Sequence, residues 1–155
     1  MTQTSGNGWP ASSDQSDIDI QVFTVVPGVR PVRLRCAKAV APLLVAACKE
    51  WHKTVEKLAS GEVQGYAYRD VRGGAGTLSN HSSGTAADIW PSRHPQGDKG
   101  GGFTKEQQAA VLAICKKYGL RSGGTYKTAK PDWMHIEIDI SPSEAKTLIK
   151  ALGLK

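Results

Sequence analysis

The chain has 155 residues, which suggests one domain and is long enough to bury a core without disulfides or a structural metal. Hydrophobic residues make up 39% of the chain. A membrane-spanning helix needs an apolar run of about 18 residues or more, and no run in this sequence is that long. The formal net charge of +6 favours an anionic partner. The basic residues are scattered, without an aromatic-and-basic motif, so we do not expect nucleic-acid binding.

The beginning of the chain differs in composition from the rest. Residues 1–17 are rich in Ser, Thr, Gly, Asn and Gln and predict a flexible arm, and residues 18–155 predict a single folded domain. The N-terminus has no basic segment followed by an apolar one, so we expect no signal peptide and synthesis in the cytoplasm. Cys36, Cys48 and Cys115 lack metal or redox spacing and predict free thiols in a reducing compartment.

The first half of the chain predicts strands around one long helix. Alternating residues indicate extended segments at Ile18–Val26 and Val29–Leu34, separated by a Pro-Gly turn. Apolar residues at helical spacing then predict a helix over about 39–59, with proline in its first turn. A further strand is predicted at Gly65–Arg69.

The second half predicts two capped helices, two strands and a surface loop. Each helix begins at a capping box, in which Thr or Ser is followed three residues later by Gln or Glu. In chain order we expect a strand Thr85–Trp90, a surface loop Pro91–Gly102 with His94 as an ordinary loop residue, a helix from Thr104 to Gly119, a strand Trp133–Ile140 and a helix from Ser141 to about Leu152. This mixture without βαβ alternation predicts an α+β fold with a small, mainly antiparallel sheet packed with helices.

Two short blocks contain side chains of the types that can bind zinc. The first, from Ser79 to Asp88, reads SNHSSGTAAD, and the second contains His135 three residues after Asp132. Each of these residues alone is more often a surface or capping group. Together, two imidazoles and a carboxylate would fill three corners of a zinc tetrahedron and leave the fourth for water, which is typical of hydrolytic zinc sites.

Strand alternation tests the second block. It predicts a core face with aliphatic side chains and an opposite, polar face that carries His135. The expected core face is Met134, Ile136 and Ile138, and the expected polar face is Trp133, His135, Glu137 and Asp139. Asp132 would point away from His135 in a regular strand. Because Pro131 restricts its neighbours, we expect the strand to begin after Asp132, so that Asp132 bends over the metal from a loop.

The joint pattern Ser79-x-His81-x-x-Gly84-x-Ala86-x-Asp88 and Asp132-x-x-His135-x-Glu137 resembles the zinc D-alanyl-D-alanine carboxypeptidase and L-alanyl-D-glutamate endopeptidase family. Phage endolysins belong to this family. The similarity covers residues 30–140, and Tyr68-Arg69 also matches a Tyr-Arg element of the family. It implies the α+β fold that these peptidases share with the Hedgehog signalling domain, and one Zn²⁺ ion in a catalytic domain.

The resemblance also implies roles for individual residues. His81, Asp88 and His135 match the zinc ligands, and Asp132 matches the general base that takes a proton from the metal-activated water. Some relatives have glutamate at the position of Asp132. Arg69 matches the arginine that binds substrate and stabilises the oxyanion.

Two further positions are less specific. Ser79 matches a residue that supports the site or contacts substrate. Glu137 either orients a ligand imidazole or pairs with a nearby lysine. Trp133 is bulkier than the residue expected at its position in the family.

The implied function is hydrolysis of the L-Ala–D-Glu bond of a peptidoglycan stem peptide, as in a phage endolysin. Two alternatives remain open: a D-Ala–D-Ala carboxypeptidase or dipeptidase of the same family, and a zinc-bearing binding domain without activity. We expect the stem peptide as partner, no nucleic-acid or membrane partner, and a monomer. Such a protein would reach the cell wall after holin-type release or as a component of the virion.

Overall fold

This computed structural model describes residues 2–74, 76–127 and 130–155. They fold into three α-helices and three small antiparallel sheets. The elements in chain order are β1 (Gln3–Thr4), β2 (Pro10–Ala11), β3 (Ile20–Val26), β4 (Val32–Ala37), α1 (Ala41–Thr54), β5 (Val63–Gln64), β6 (Ala86–Ile89), α2 (Lys105–Tyr118), β7 (Leu120–Gly123), β8 (Asp132–Ile138) and α3 (Pro142–Ala151). The predicted α+β class is confirmed. None of the described helices is long and apolar enough to cross a membrane.

The central sheet has the strand order β5-β6-β8-β7, and all of its pairs are antiparallel. The pairing of β6 with β8 places Asp88 directly opposite His135 and Ala86 opposite Glu137. Residues opposite each other on one face of such a pair have neighbouring side chains. The sheet register therefore brings the two sequence blocks together, although 47 residues separate Asp88 from His135.

The helices begin where their caps predict. Both capping boxes are formed, at Thr104 with Gln107 and at Ser141 with Glu144, and Gly119 ends α2 in the left-handed conformation. The helix predicted over 39–59 is shorter, because α1 ends at Thr54.

Two hydrogen bonds with side-chain groups lie at the end of α1. The Nε2 amide of Gln107 donates to the carbonyl of Val55, and the His52 Nδ1 accepts the backbone N–H of Leu58. The Val55 carbonyl and the Leu58 N–H therefore bond to side chains rather than to the helical backbone.

One continuous hydrophobic cluster joins the helices to the sheets. Its largest fully buried side chains include Trp51, Leu34, Leu43, Leu44, Ile89, Ile114, Ile136 and Ile138. The three cysteines are free, as predicted, and all three are buried, which raises the pKa of each thiol to about 12. Thiols of such high pKa are protonated at neutral pH, so they act as small apolar side chains.

Two loops differ from the sequence prediction. Gly65–Arg69 is not a regular strand, since β5 ends at Gln64 and the following backbone instead bonds to separate segments, from Tyr66 N to Arg35 O and from Ala67 N to His81 O. The predicted surface position of His94 is also wrong, because its side chain is buried. It contacts Glu56 through Nε2 at 2.6 Å and stacks on Phe103.

The N-terminal segment, which its composition predicts to be a flexible arm, makes more contacts than a loose arm would. Strands β1 and β2 form a short hairpin, and the Trp9 side chain between them is buried in the main hydrophobic cluster. The indole Nε1 of Trp9 donates to the carbonyl of Ile140 at 2.9 Å. A single aromatic anchor and several backbone contacts thus offset the polar composition of this segment.

Candidate metal centre

A short 3-10 helix, Asn80–Ser83, directs His81 into the protein. The Ser79 hydroxyl caps this turn by accepting the backbone N–H of His81 at 3.3 Å. Gly84 ends the turn with a φ of 67°, and a Cβ there would lie 2.7 Å from the backbone nitrogen of Ala37. Only glycine fits both the conformation and this close approach. Ser79 is thus the N-cap of the turn that carries His81, and it also lines the adjoining cleft.

The two nitrogens of the His81 ring have different roles. Nδ1 lies 2.7 Å from the carbonyl oxygen of Gly65. Because that oxygen can only accept, Nδ1 carries the proton in the neutral ring, and Nε2 offers a lone pair. Nε2 is buried without a hydrogen-bond partner among the described residues, and it lies 3.2 Å from Asp88 Oδ2. Two acceptor atoms this close repel each other unless a cation or a second proton lies between them.

His135 is held on both sides by carboxylates. Its Nε2 lies 2.8 Å from Glu137 Oε2, and its Nδ1 lies 2.9 Å from Asp88 Oδ1. Burial favours the neutral ring, but these hydrogen bonds outweigh it and raise the pKa of His135 to about 9. When Glu137 accepts the Nε2 proton, Nδ1 is the nitrogen left to face Asp88. Of the two contacts predicted for Glu137, the structure shows the one with the imidazole.

Asp88 is the residue shared by both histidines. Its Oδ2 faces the imidazole of His81 and its Oδ1 faces that of His135, and its side chain is nearly buried. Burial raises the pKa of Asp88, but the contacts with His135 and His81 together lower it well below its usual range. Asp88 is therefore ionised at neutral pH and supplies the negative charge of the group.

These three residues fit a divalent metal ion. One ligand atom from each of His81, Asp88 and His135 lies within 4.8 Å of the others. Imidazole nitrogens and a carboxylate oxygen are donors that Zn²⁺ binds in proteins, and here His81 Nε2 and His135 Nδ1 lie 3.2 and 2.9 Å from the two different oxygens of Asp88. The unpartnered Nε2 of His81 also supports the fit, because a bound cation would satisfy it.

A bulge in β8 brings Asp132 to the same cleft. Strand β8 begins at Asp132 rather than after it, and the register to β7 shifts so that Ser122 pairs with Ile136 but Gly123 pairs with Asp132. The extra residues on β8 interrupt the alternation of side chains. Asp132 and His135 therefore both line the cleft in spite of their odd spacing.

Because of the same bulge, the faces predicted for two residues of β8 are wrong. Trp133, expected on the polar face, packs in the core with its ring centroid 6.4 Å from that of Phe103. Met134, expected in the core, lines the cleft. Ile136 and Ile138 are buried in the core as predicted, and His135 and Glu137 line the cleft.

The environment of Asp132 suits a proton acceptor. Its side chain is buried, and Oδ1 has no hydrogen-bond partner among the described residues. Burial raises the pKa of Asp132, the negative charge of Asp88 acts in the same direction, and the histidines oppose both. A carboxylate of raised pKa accepts a proton more readily at neutral pH than an ordinary aspartate does.

Arg69 lies at the rim of the group. Its Nη2 is 3.8 Å from Asp88 Oδ2, and its side chain is 42% exposed, so the guanidinium is accessible to a ligand. Its backbone is fixed, because its N–H donates to the Ser82 hydroxyl and its carbonyl accepts the N–H of Ser79. Tyr68 beside it is exposed.

The structure adds residues that the sequence analysis did not single out. The Asn80 amide donates to Glu137 at 2.7 Å, and the Tyr126 hydroxyl donates to the same carboxylate at 3.1 Å. Arg72 and Arg121 line the cleft. Asn80 lies inside the first sequence block, where it could have been considered, but no local pattern marks Tyr126 or the arginines.

The candidate metal group lies where two open clefts meet. One cleft, of about 380 Å³, extends past Arg121, Tyr126 and Asp132. The other, of about 680 Å³, extends past Gln64 and Tyr66. Both include His81, Asp88 and Arg69 in their walls. A ligand bound at the group could therefore extend in two directions along the surface.

Comparisons with known proteins agree with the chemistry of this site. No curated protein and no solved structure matches the chain. Residues 72–138 match a family model described as D-alanyl-D-alanine carboxypeptidase. The matched segment covers less than half of the chain and contains Asp132 and the three residues of the candidate metal group, so the similarity to this peptidase family includes the site.

Proposed function

We propose that this protein is a zinc-dependent peptidase that hydrolyses a stem-peptide bond of peptidoglycan. The observation that carries the proposal is the arrangement of His81, Asp88 and His135 beside a buried carboxylate, Asp132, in an open cleft. A structural zinc site would be enclosed by four protein ligands, whereas this group offers three and adjoins solvent. The family match supports the peptidase class.

The residues of the cleft divide the work of hydrolysis. His81, Asp88 and His135 would hold the metal, which when bound lowers the pKa of water and polarises a carbonyl group. Asp132 accepts the proton of the attacking water and returns it to the leaving amine. Arg69 places its guanidinium at the rim, where it can bind a substrate carboxylate or the developing oxyanion.

The scissile bond that we propose is the one between L-Ala and D-Glu. This choice is supported by the two clefts, because an endopeptidase binds peptide on both sides of the bond it cuts. The second candidate, removal of a terminal D-Ala, is supported by the description of the matching family.

The positive net charge of the chain would concentrate either enzyme near anionic wall polymers. We further propose a monomer that reaches the wall as an endolysin or virion protein.

The test is metal analysis followed by digestion of defined muropeptides. We expect one zinc per chain, loss of hydrolysis with a chelator, and recovery on adding zinc. Mass spectrometry of the products distinguishes a cut after L-Ala from release of D-Ala. Zinc binding without any hydrolysis would favour the non-catalytic binding domain.

Two histidine variants provide a matched comparison. His135→Ala removes a member of the metal group and should abolish both zinc binding and hydrolysis. His52→Ala removes a histidine of α1, whose Nδ1 contacts the backbone of Leu58, and it should leave both properties unchanged. Equal loss of zinc in the two variants would contradict the proposed site.

A further inference from the structure

The tip of the N-terminal hairpin inserts between the loop that carries His81 and the end of β8. Asn7, at this tip, donates through its side-chain Nδ2 to Thr85 Oγ1 at 2.9 Å and to the carbonyl of Ile138 at 2.8 Å. The Gly6 N–H donates to the carbonyl of Leu78 at 3.1 Å. The hairpin thus joins two segments that flank the metal group.

The backbone of Asn7 also decides the orientation of Asn80. Its N–H donates to Asn80 Oδ1 at 2.8 Å. Because a backbone N–H can only donate, the oxygen of the Asn80 amide must face Asn7, and its NH₂ group must face the other way. That NH₂ group donates to Glu137 Oε2 at 2.7 Å. With the amide reversed, Asn80 Oδ1 would face Glu137 Oε2, and both of these oxygens are acceptors.

Glu137 transmits this orientation to the metal group. The same oxygen, Oε2, accepts from Asn80, from the Tyr126 hydroxyl and from Nε2 of His135. A carboxylate that holds the Nε2–H of a histidine determines which nitrogen faces the metal and how the ring is turned. Asn7, Asn80, Glu137 and His135 therefore form one connected set of hydrogen bonds, which we call the positioning network.

We infer that Asn7 is a positioning residue of the metal centre and that the N-terminal hairpin is part of the apparatus that sets zinc affinity. The hydrogen bonds that Asn7 forms across the fold go to Asn80, Thr85 and Ile138, none of which is a member of the metal group. It acts by anchoring the hairpin, which orients Asn80, which in turn supports Glu137 against His135. This inference rests on the proposed zinc site.

The experiment measures zinc affinity by competition with a chromophoric chelator in Asn7→Ala, Asn80→Ala and the double variant. Partners of metal-binding histidines typically contribute about 10–100-fold to metal affinity, so we expect a loss of about tenfold in each single variant. The double variant should bind zinc about as weakly as the single ones, because both substitutions interrupt the same network. Fully multiplicative losses would overturn the inference.

Trp9→Phe is the matched control. It removes the hydrogen bond of Trp9 to Ile140 from the same hairpin without touching the positioning network. We expect a lower melting temperature and a zinc affinity within about threefold of the wild type, which is a difference of about 0.7 kcal/mol. A loss as large as in Asn7→Ala would mean that general loosening, not the network, sets the affinity.

A second readout needs neither metal nor activity. In the metal-free protein, ¹⁵N-correlated NMR of the imidazoles should show the His135 Nε2–H signal shifted or broadened in Asn80→Ala and in Asn7→Ala, but unchanged in Trp9→Phe. Unchanged signals in both Asn variants would overturn the inference. If the wild type binds no zinc, the proposed function fails instead, and if all variants bind zinc equally, only the positioning network fails.

Discussion

Replacement of Asp132 by asparagine separates the chemical role of this residue from its structural one. The amide has the shape of the carboxylate but cannot accept a proton from water. General-base catalysis typically contributes about 10²–10⁴-fold, so hydrolysis should fall by this factor, or by about 3–5 kcal/mol of transition-state stabilisation. Zinc should remain bound, because Asp132 is not a member of the three-residue metal group.

The structure also predicts the effect of Asp132→Asn on stability. The folded-state pKa of Asp132 lies above its ordinary value because of burial, so its ionisation opposes folding at neutral pH. Leaving a buried polar group such as its Oδ1 unpaired costs about 1–3 kcal/mol. The asparagine amide would leave the same position without a hydrogen bond, but it carries no charge. The metal-free variant should therefore be at least as stable as the wild type at pH 7, and the difference should vanish below about pH 3.8, where the wild-type side chain is protonated in both states.

The assay compares muropeptide hydrolysis, zinc content and the melting temperature of the metal-free protein in both forms. A variant that keeps its zinc and hydrolyses within tenfold of the wild type would refute the role of Asp132 as base. Destabilisation of the metal-free variant by more than about 1 kcal/mol, or about 2–4 °C in melting temperature for a chain of this size, would show that the carboxylate has a structural partner instead.

Three further predictions concern the metal group and the fold. His81→Ala should abolish zinc binding at micromolar metal, measured by chelator competition, because it removes the ligand atom that has no hydrogen-bond partner in the described part of the chain; retained binding would exclude His81 as a ligand. The raised pKa of His135 means that the stability it contributes to the metal-free protein is fully present below pH 6.5 and is lost as the pH rises through about 9. Thermal unfolding with a chelator from pH 6 to 9.5 should show this decline, and His135→Ala should lack it. Ser141→Ala removes a helix cap and should lower the free energy of unfolding by about 1 kcal/mol in urea titrations, with zinc affinity unchanged; altered zinc affinity would mean that α3 influences the site.

Local sequence patterns predicted the parts of this protein that depend on neighbouring residues. The capping boxes at Thr104 and Ser141 and the left-handed glycine at Gly119 are as expected, since a cap needs only a suitable side chain within three or four residues. The grouping of His81, Asp88 and His135 was predicted from motif resemblance, and the structure brings these residues together. Their function as ligands stays a prediction until zinc is measured.

Tertiary structure alone decided where several other side chains lie. The bulge in β8 turns Asp132 toward the cleft and Trp133 into the core, against simple alternation, because pairing with β7 shifts its register. A hydrogen bond joins Asn7 to Asn80, which lies 73 residues later in the chain. Another joins the buried His94 to Glu56, which lies 38 residues earlier. Such partners leave no periodic trace in the sequence, since periodicity reports which face of an element is buried and not which distant group completes a hydrogen bond.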